Sequence, residues 1–328
     1  MKKNLSKYLL ILLCLPLLLT GCKKIPKLES GQEVIAEVDG KQFTANDLYE
    51  SLKSQYGSNS LINLIDNYIT EQEITDDIKS EAKEKAESEY NSYYAYYSSN
   101  WSNFLSYYGY SNDNDLLTGL TKNYQQSLVL KKYLSTTFTD DEVKDYYDNN
   151  IYGAITARHI LIIPDTNDNM TDDEKAKAKE TAKEKAESII EKLKSSTNLE
   201  EDFSNSAKEN SDDTATASEG GLIENFTNES GLVKEFWNAS LALNVGEMSQ
   251  EPVESEYGYH IIYKVSQEDK PSLDNVKDKV ISALVTQKMN EENANYVYWA
   301  ALREKYGIKI YDDDINSNYK ATLSNLNK

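Results

Sequence analysis

The chain has 328 residues, enough for two or three ordinary domains with at least one substantial core, and its 39% hydrophobic content excludes disorder throughout. Fifty-five acidic residues against 35 basic ones give a net charge of −20, so the surface is strongly anionic and nucleic acid is a poor partner. Two cysteines (Cys14, Cys22) and two histidines (His159, His260) leave almost nothing from which to build a thiol active site, a disulfide core or a histidine-rich metal site.

Residues 1–21 read as an address rather than as structure. Lys2, Lys3 and Lys7 form a basic start, and residues 9–19 are an apolar run of 11 residues broken only by Cys14 and Pro16, the pattern of a secretory signal. A membrane-spanning helix needs roughly 20 apolar residues, and this run ends well short of that before Lys23. Leu19-Thr20-Gly21-Cys22 then resembles the bacterial lipobox, whose cysteine is diacylglyceryl-modified and opens the mature chain. The rival is an ordinary signal with an incidental cysteine. On the lipobox reading the mature chain holds 32 basic against 55 acidic residues, a net charge of −23, and no thiol. Acyl chains contributing about 0.8 kcal/mol per buried CH₂ would hold it to the cell membrane on the extracytoplasmic face.

Residues 22–33, with Pro26 and Gly31, read as a tether behind the lipidated Cys22. Residues 34–43 predict a strand, a turn at Gly40 and a return, and residues 44–47 supply a cap for a helix beginning near Leu48. Leu61, Leu64, Ile65, Tyr68, Ile69, Ile74 and Ile78 carry helical spacing. Residues 90–110 then hold eight tyrosines with Trp101 and Phe104. Aromatic packing between helices is the favoured reading there, since aromatic stripes are usually core, and an adhesive client-contact surface is the other. A second cap at Thr139 opens a short helix that ends at Asn149-Asn150, closing a mainly helical region over 34–150.

Residues 155–163 are a β-branched strand that stops at Pro164. A third cap at Thr171 opens a Lys/Glu-rich helix to about Lys194, and a shorter helix covers 199–208. After a polar loop to Gly221 come a strand around Phe226, a helix carrying Leu232, Val233, Phe236 and Trp237, then Val245-Gly246-Glu247, and finally a strand over 259–265. The order β-α-α-β-α-β-β over residues 151–267 predicts an α+β domain, a small antiparallel sheet with helices packed on it. Residues 273–305 form one long amphipathic pattern of about 50 Å at helical rise. Segment 268–328 is therefore expected to pack with the amino-terminal helices and complete a helical module around the central domain.

Ala157-Arg158-His159-Ile160-Leu161, Phe203-Ser204, Ser211-Asp212-Asp213, Gly220-Gly221, residues 236–243, Gly246-Glu247-Met248-Ser249 and Tyr257-Gly258-Tyr259-His260-Ile261-Ile262 together resemble the parvulins, a family of peptidyl-prolyl cis-trans isomerases. The motifs run in order through about 152–266, which is more specific than any one of them. With the lipobox and helical flanks, the chain resembles the extracellular foldase lipoproteins of the PrsA type. The resemblance implies a chaperone module around an isomerase, with newly translocated secreted proteins as clients, no cofactor or metal, and a homodimer through the amino-terminal helices as an option.

It also assigns residues. His159, His260 and Asp213 would form a polar network, with Asp212 competing for the place of Asp213 because the loop to Gly221 is one residue longer than usual. Ser255 matches a position whose hydroxyl orients a histidine, and Ile223, Leu232 and Phe236 would line a slot for the proline ring. The histidines either act on the substrate or only maintain the site, and both readings stand here. One departure bears on activity: the family usually continues the glycine pair with Asp-Leu-Gly, whereas Leu222-Ile223-Glu224 follows here. That favours an alternative in which the domain is catalytically idle and the protein is a holdase or binding module. No Arg/Lys cluster precedes the site, so phosphate-directed specificity is not expected.

Overall fold

The computed structural model describes residues 27–326 apart from residue 29, so the signal segment and Cys22 lie outside the described residues. The chain divides into two compact units, one running to Thr136 and resuming at Gln287, the other spanning Thr137–Thr286.

In the first unit, β1 (Val34–Val38) and β2 (Lys41–Thr44) form an antiparallel hairpin. Its turn places Asp39 and Gly40 at φ 49° and 79°, the conformation that matches strand twist in a two-residue loop. The Thr44–Asp47 capping box closes as expected and starts α1 (Ala45–Glu73), three residues before Leu48. Thr75 caps α2 (Asp76–Tyr97), followed by α3 (Trp101–Tyr107) and α4 (Asp113–Ser135). Phe104, Leu105, Leu116 and Leu120 form a core with Tyr90, Tyr93, Tyr97 and Trp101 packed against it, so part of the tyrosine-rich segment is helix packing.

The second unit opens with α5 (Asp140–Asn150), capped by Thr139, then β3 (Ile155–Ile162). Next come α6 (Asp172–Lys194), α7 (Leu199–Asn210), β4 (Leu222–Phe226), α8 (Lys234–Ala242), β5 (Val253–Ser255), β6 (Gly258–Gln267) and α9 (Leu273–Met289). This is the α+β order anticipated from the sequence, and the sheet is antiparallel throughout, with strand order β4-β3-β6-β5. Ala182, Ala186, Ile189, Ile190 and Leu193 make one stripe of α6, which covers Ile160, Ile162, Ile261 and Tyr263 on one sheet face. α8 covers the other face with Phe236 and Trp237 against Ile155, Ala157 and Ile262. Each such aliphatic side chain contributes about 1.5–3 kcal/mol through burial.

The pattern over 273–305 is two helices, not one. It breaks between α9 and α10 (Ala294–Lys305), where Asn293 adopts φ 60°, a left-handed conformation that no helix continues through. Val280 of α9 is buried with Val143 and Ile151, so α5 and most of α9 belong to the central unit rather than to the flanking segments 34–150 and 268–328 expected to hold them. α10 instead brings Trp299 and Leu302 against Ile69, Ile78, Val129 and Leu130 of the first unit. The last helix, α11 (Asp313–Leu326), and α4 have no counterpart among the expected elements. Among the described residues no helix is long and apolar enough to cross a membrane.

Candidate active site

The site follows from strand alternation. On β3, Ile155 and Ala157 face α8 while Ile160 and Ile162 face α6; on β6, Ile262 faces α8 while Ile261 and Tyr263 face α6. His159 and His260 therefore share the α8 face. The register pairs His159 with Ile262 and Leu161 with His260, which makes the imidazoles diagonal neighbours on the two central strands. Both are buried, with stacked rings 5.7 Å apart, and Phe236 meets each edge-on at 5.4 and 5.6 Å.

Their nitrogens form a series. Ser255 Oγ lies 2.8 Å from His260 Nε2, His260 Nδ1 lies 3.5 Å from His159 Nδ1, and His159 Nε2 lies 2.8 Å from Asp213 Oδ2. A carboxylate only accepts, so His159 carries its proton on Nε2 and presents a bare Nδ1. His260 must then donate from Nδ1, and its Nε2 accepts from the Ser255 hydroxyl. The chain of donors runs one way, from Ser255 through both imidazoles to Asp213, and it exists only while both imidazoles are neutral.

The electrostatics keep them so. Burial lowers the pKa of His159 despite its bond to Asp213, and burial followed by the neighbouring His159 lowers that of His260 to about 4. Burial pushes the Asp213 carboxyl up, but hydrogen bonds from Thr216, His159 and the Ala215 amide outweigh it and leave the group below its usual value. An imidazole held near 4 is also a weak base, so the Ser255–His260 contact is poorly suited to generating a serine nucleophile.

Asp213, not Asp212, takes the place beside His159. Asp212 is tied to β3 instead: its amide donates to the Leu161 carbonyl at 2.8 Å, and its carboxylate accepts from the Ile163 amide at 2.8 Å. Ser211 Oγ accepts from Leu161 N, so consecutive residues fasten the loop to the strand and leave Asp213 projecting at the imidazole.

Two contributors, Thr216 and Lys264, escaped the sequence reading, and a third, Gly221 of the glycine pair, gains its physical reason here. Thr216 donates to Asp213 Oδ2 at 2.5 Å and lies 3.0 Å from His159 Nε2, which it reaches because the loop folds back with the Thr216 amide donating to the Asp213 carbonyl. A threonine in a polar loop gives no signal of this in sequence. Buried Lys264, two residues beyond Ile262 on the α8 face, donates to the Leu241 and Leu243 carbonyls and so fixes the end of the helix that carries Phe236. Its signal is a lysine at an inward strand position. Gly221 adopts φ 70°, and a Cβ there would stand 2.0 Å from the His159 carbonyl oxygen, so only glycine lets the loop close over His159.

The backbone beside Glu224, where the family pattern has a turn glycine, is irregular. The β3–β4 register shifts between Ile155 and Ala157, and the left-handed residue in β4 is Asn225, φ 51°, a residue type that tolerates it. Glu224 is exposed in the same strand. Of the slot residues, Phe236 is buried, while Ile223 and Leu232 are half-buried against the cluster containing it. The structure thus brings His159, Asp213, His260, Ser255 and Phe236 together with one apolar wall.

Comparison with known proteins bears on the domain and the chain as wholes. Residues 159–266 match the Rotamase family, the PPIC-type PPIase domain. Over nearly the whole chain the protein is similar to Foldase protein PrsA of Levilactobacillus brevis, at 26% identity covering 95% of this chain and 93% of that one. It is 28% identical to Foldase protein PrsA 1 of Listeria innocua, covering 94% and 92%. The crystal structure of foldase protein PrsA from Streptococcus pneumoniae shares the fold, with a TM-score of 0.55 at 21% identity over 87% of this chain and 98% of that one. The chain is a homologue of the PrsA foldases, and its central unit carries a PPIC-type, parvulin, peptidyl-prolyl isomerase domain.

Proposed function

We propose that the protein is a lipid-anchored foldase, held by Cys22 on the extracytoplasmic face of the membrane, that catalyses cis-trans isomerisation of X-Pro bonds in secreted proteins as they fold. Rotation about such a bond faces a barrier of about 18–20 kcal/mol because resonance stiffens the amide. Each 1.36 kcal/mol removed is worth about tenfold in rate, and removal needs only a site that binds the twisted amide better than the planar forms. The twisted amide has lost conjugation: its nitrogen lone pair becomes a hydrogen-bond acceptor and its carbonyl dipole shrinks. An apolar wall suits the second change and a neutral polar network the first.

The observation that carries this reading is the one-way chain Ser255–His260–His159–Asp213 set against Phe236. Half-buried Ile223 and Leu232 extend the wall for the proline ring. The lipobox-like Leu19-Thr20-Gly21-Cys22 and the relatives' foldase names support the location and the client class. An isomer-exchange assay on a proline peptide tests the activity. Wild type is expected to accelerate exchange, and His159→Ala and Asp213→Ala to lose about ten- to a hundredfold, the worth of a hydrogen bond to a charged group. Equal exchange with and without the protein would remove the enzymatic reading. Radiolabelled palmitate incorporation, lost in Cys22→Ser, tests the anchor.

A further inference from the structure

The tip of the first unit where α2 meets α3 holds aromatic rings that the packing does not use. Tyr96 and Tyr107 are 82% and 83% exposed, and Tyr94 and Tyr108 are 49% and 57% exposed. They are not scattered. Ring contacts run from Tyr96 to Tyr97 (4.8 Å), on to Phe104 (4.6 Å), Tyr108 (4.8 Å) and Tyr107 (5.1 Å), and Tyr94 joins through Trp101 (5.2 Å). Buried Phe104 with half-buried Tyr97 and Trp101 thus links the exposed rings into one connected aromatic cluster.

The charge around this patch has one sign. Residues 86–121 contain eight tyrosines, four acids (Glu87, Glu89, Asp113 and Asp115) and no lysine or arginine. Glu89 is held by the Tyr93 and Tyr124 hydroxyls, Asp113 by the Trp101 indole N–H and Asp115 by the Ser111 amide, all neutral donors that leave the carboxylate charge uncompensated. Glu87 alone faces a lysine, Lys83 at 3.7 Å. Electron-rich ring faces beside uncompensated carboxylates are complementary to a cation with an apolar stem. An anionic lipid surface would be repelled by the same charges.

We propose that this tyrosine patch is a binding surface for extended, lysine- and arginine-bearing segments of unfolded polypeptide, gripped through cation–π contacts and the surrounding carboxylates. The proposal rests on the client-handling half of the foldase reading and is independent of the isomerase site. It gives the anionic body a positive role, that of selecting unfolded chains of opposite charge.

The test uses the full-length protein and fluorescein-labelled unstructured peptides carrying either spaced lysines or glutamines at the same positions, read by fluorescence anisotropy at low salt. The lysine peptide is expected to bind more tightly, and Tyr96→Ser/Tyr107→Ser to weaken it by roughly tenfold, the loss of two cation–π contacts. Tyr96→Phe/Tyr107→Phe keeps both rings and should retain binding, which separates ring loss from any general disturbance. Isomerisation of a short proline peptide should be unchanged in both variants, so failure of this proposal and failure of the enzymatic reading register in different assays. Equal affinity for the two peptides, or unaltered binding in the serine variant, would overturn it. So would a serine variant that loses only self-association in sedimentation, or only binding to phosphatidylglycerol vesicles, since the patch would then belong to another partner.

Discussion

The Asp66–Arg303 pair of the first unit and the histidine series of the central unit are buried polar constellations built on opposite principles. In the first unit Arg303 of α10 holds Asp66 of α1 with two parallel hydrogen bonds of 2.6 and 2.7 Å, joining residues 237 positions apart. Full opposite charges match there in a fixed fork, and the geometry leaves nothing to rearrange. In the central unit the Ser255–His260–His159–Asp213 series is neutral until its last member, and its polarity depends on where each imidazole keeps one proton. A charged fork suits architecture, because breaking it strands an ion. A neutral donor chain suits chemistry, because a single proton changes what it presents.

The contrast is sharpest in stability. Arg303→Met should leave the Asp66 carboxylate buried and unpaired and cost about 3–5 kcal/mol, seen as a lowered urea midpoint. Adding Asp66→Leu should recover most of that loss, since an apolar pair replaces a buried ion pair at little cost. Near-equal midpoints for wild type and Arg303→Met would mean that the fork holds nothing.

Acid should act on the other constellation. The folded imidazoles titrate below the unfolded value of about 6.5, His260 near 4, so at lower pH the unfolded chain binds protons that the folded chain refuses. Their contribution to stability is complete above about 6.5 and is lost as pH falls toward 4. Urea midpoints measured across that window should slope downward toward acid, and the slope should flatten in His159→Gln/His260→Gln.

A smaller effect is expected at Thr216. Thr216→Val keeps the shape and removes one donor from Asp213 Oδ2, which should lower kcat/KM on a proline peptide by about tenfold. It should also move the acid limb of the rate profile upward, because Asp213 then takes a proton more readily; Thr216→Ser should restore both. Smallest is Ser255→Ala, which removes the donor to His260 Nε2 and should cost about fivefold, in line with one neutral hydrogen bond. Complete loss of turnover in Ser255→Ala would instead mark Ser255 as a nucleophile and redraw the comparison.

Much of this is legible in the sequence. Thr44, Thr139 and Thr171 each announced a helix start through a cap three residues ahead of an acid, because the signal is local and its geometry is set by consecutive residues. The β-branched enrichment of residues 155–163 and the strand over 259–265 likewise placed both histidines on strands. The break at Asn290–Asn293 was not legible, since no glycine or proline marks it and an amphipathic pattern continues on both sides. The tyrosine-rich segment was only half legible: composition cannot say that Tyr97 packs on Phe104 while Tyr96 points out.

The sequence by itself determined the α+β order of the central unit, its family resemblance and the identity of the titratable residues, because these depend on residue type and short spacing. Only the tertiary structure decided that Asp213 rather than Asp212 meets His159, that Thr216 joins them, and that Asn225 rather than Glu224 adopts the left-handed conformation. Those outcomes depend on which strand a loop is fastened to and how far a bulge turns it. Hydrogen bonds between residues some fifty positions apart fix both, and no local pattern encodes them.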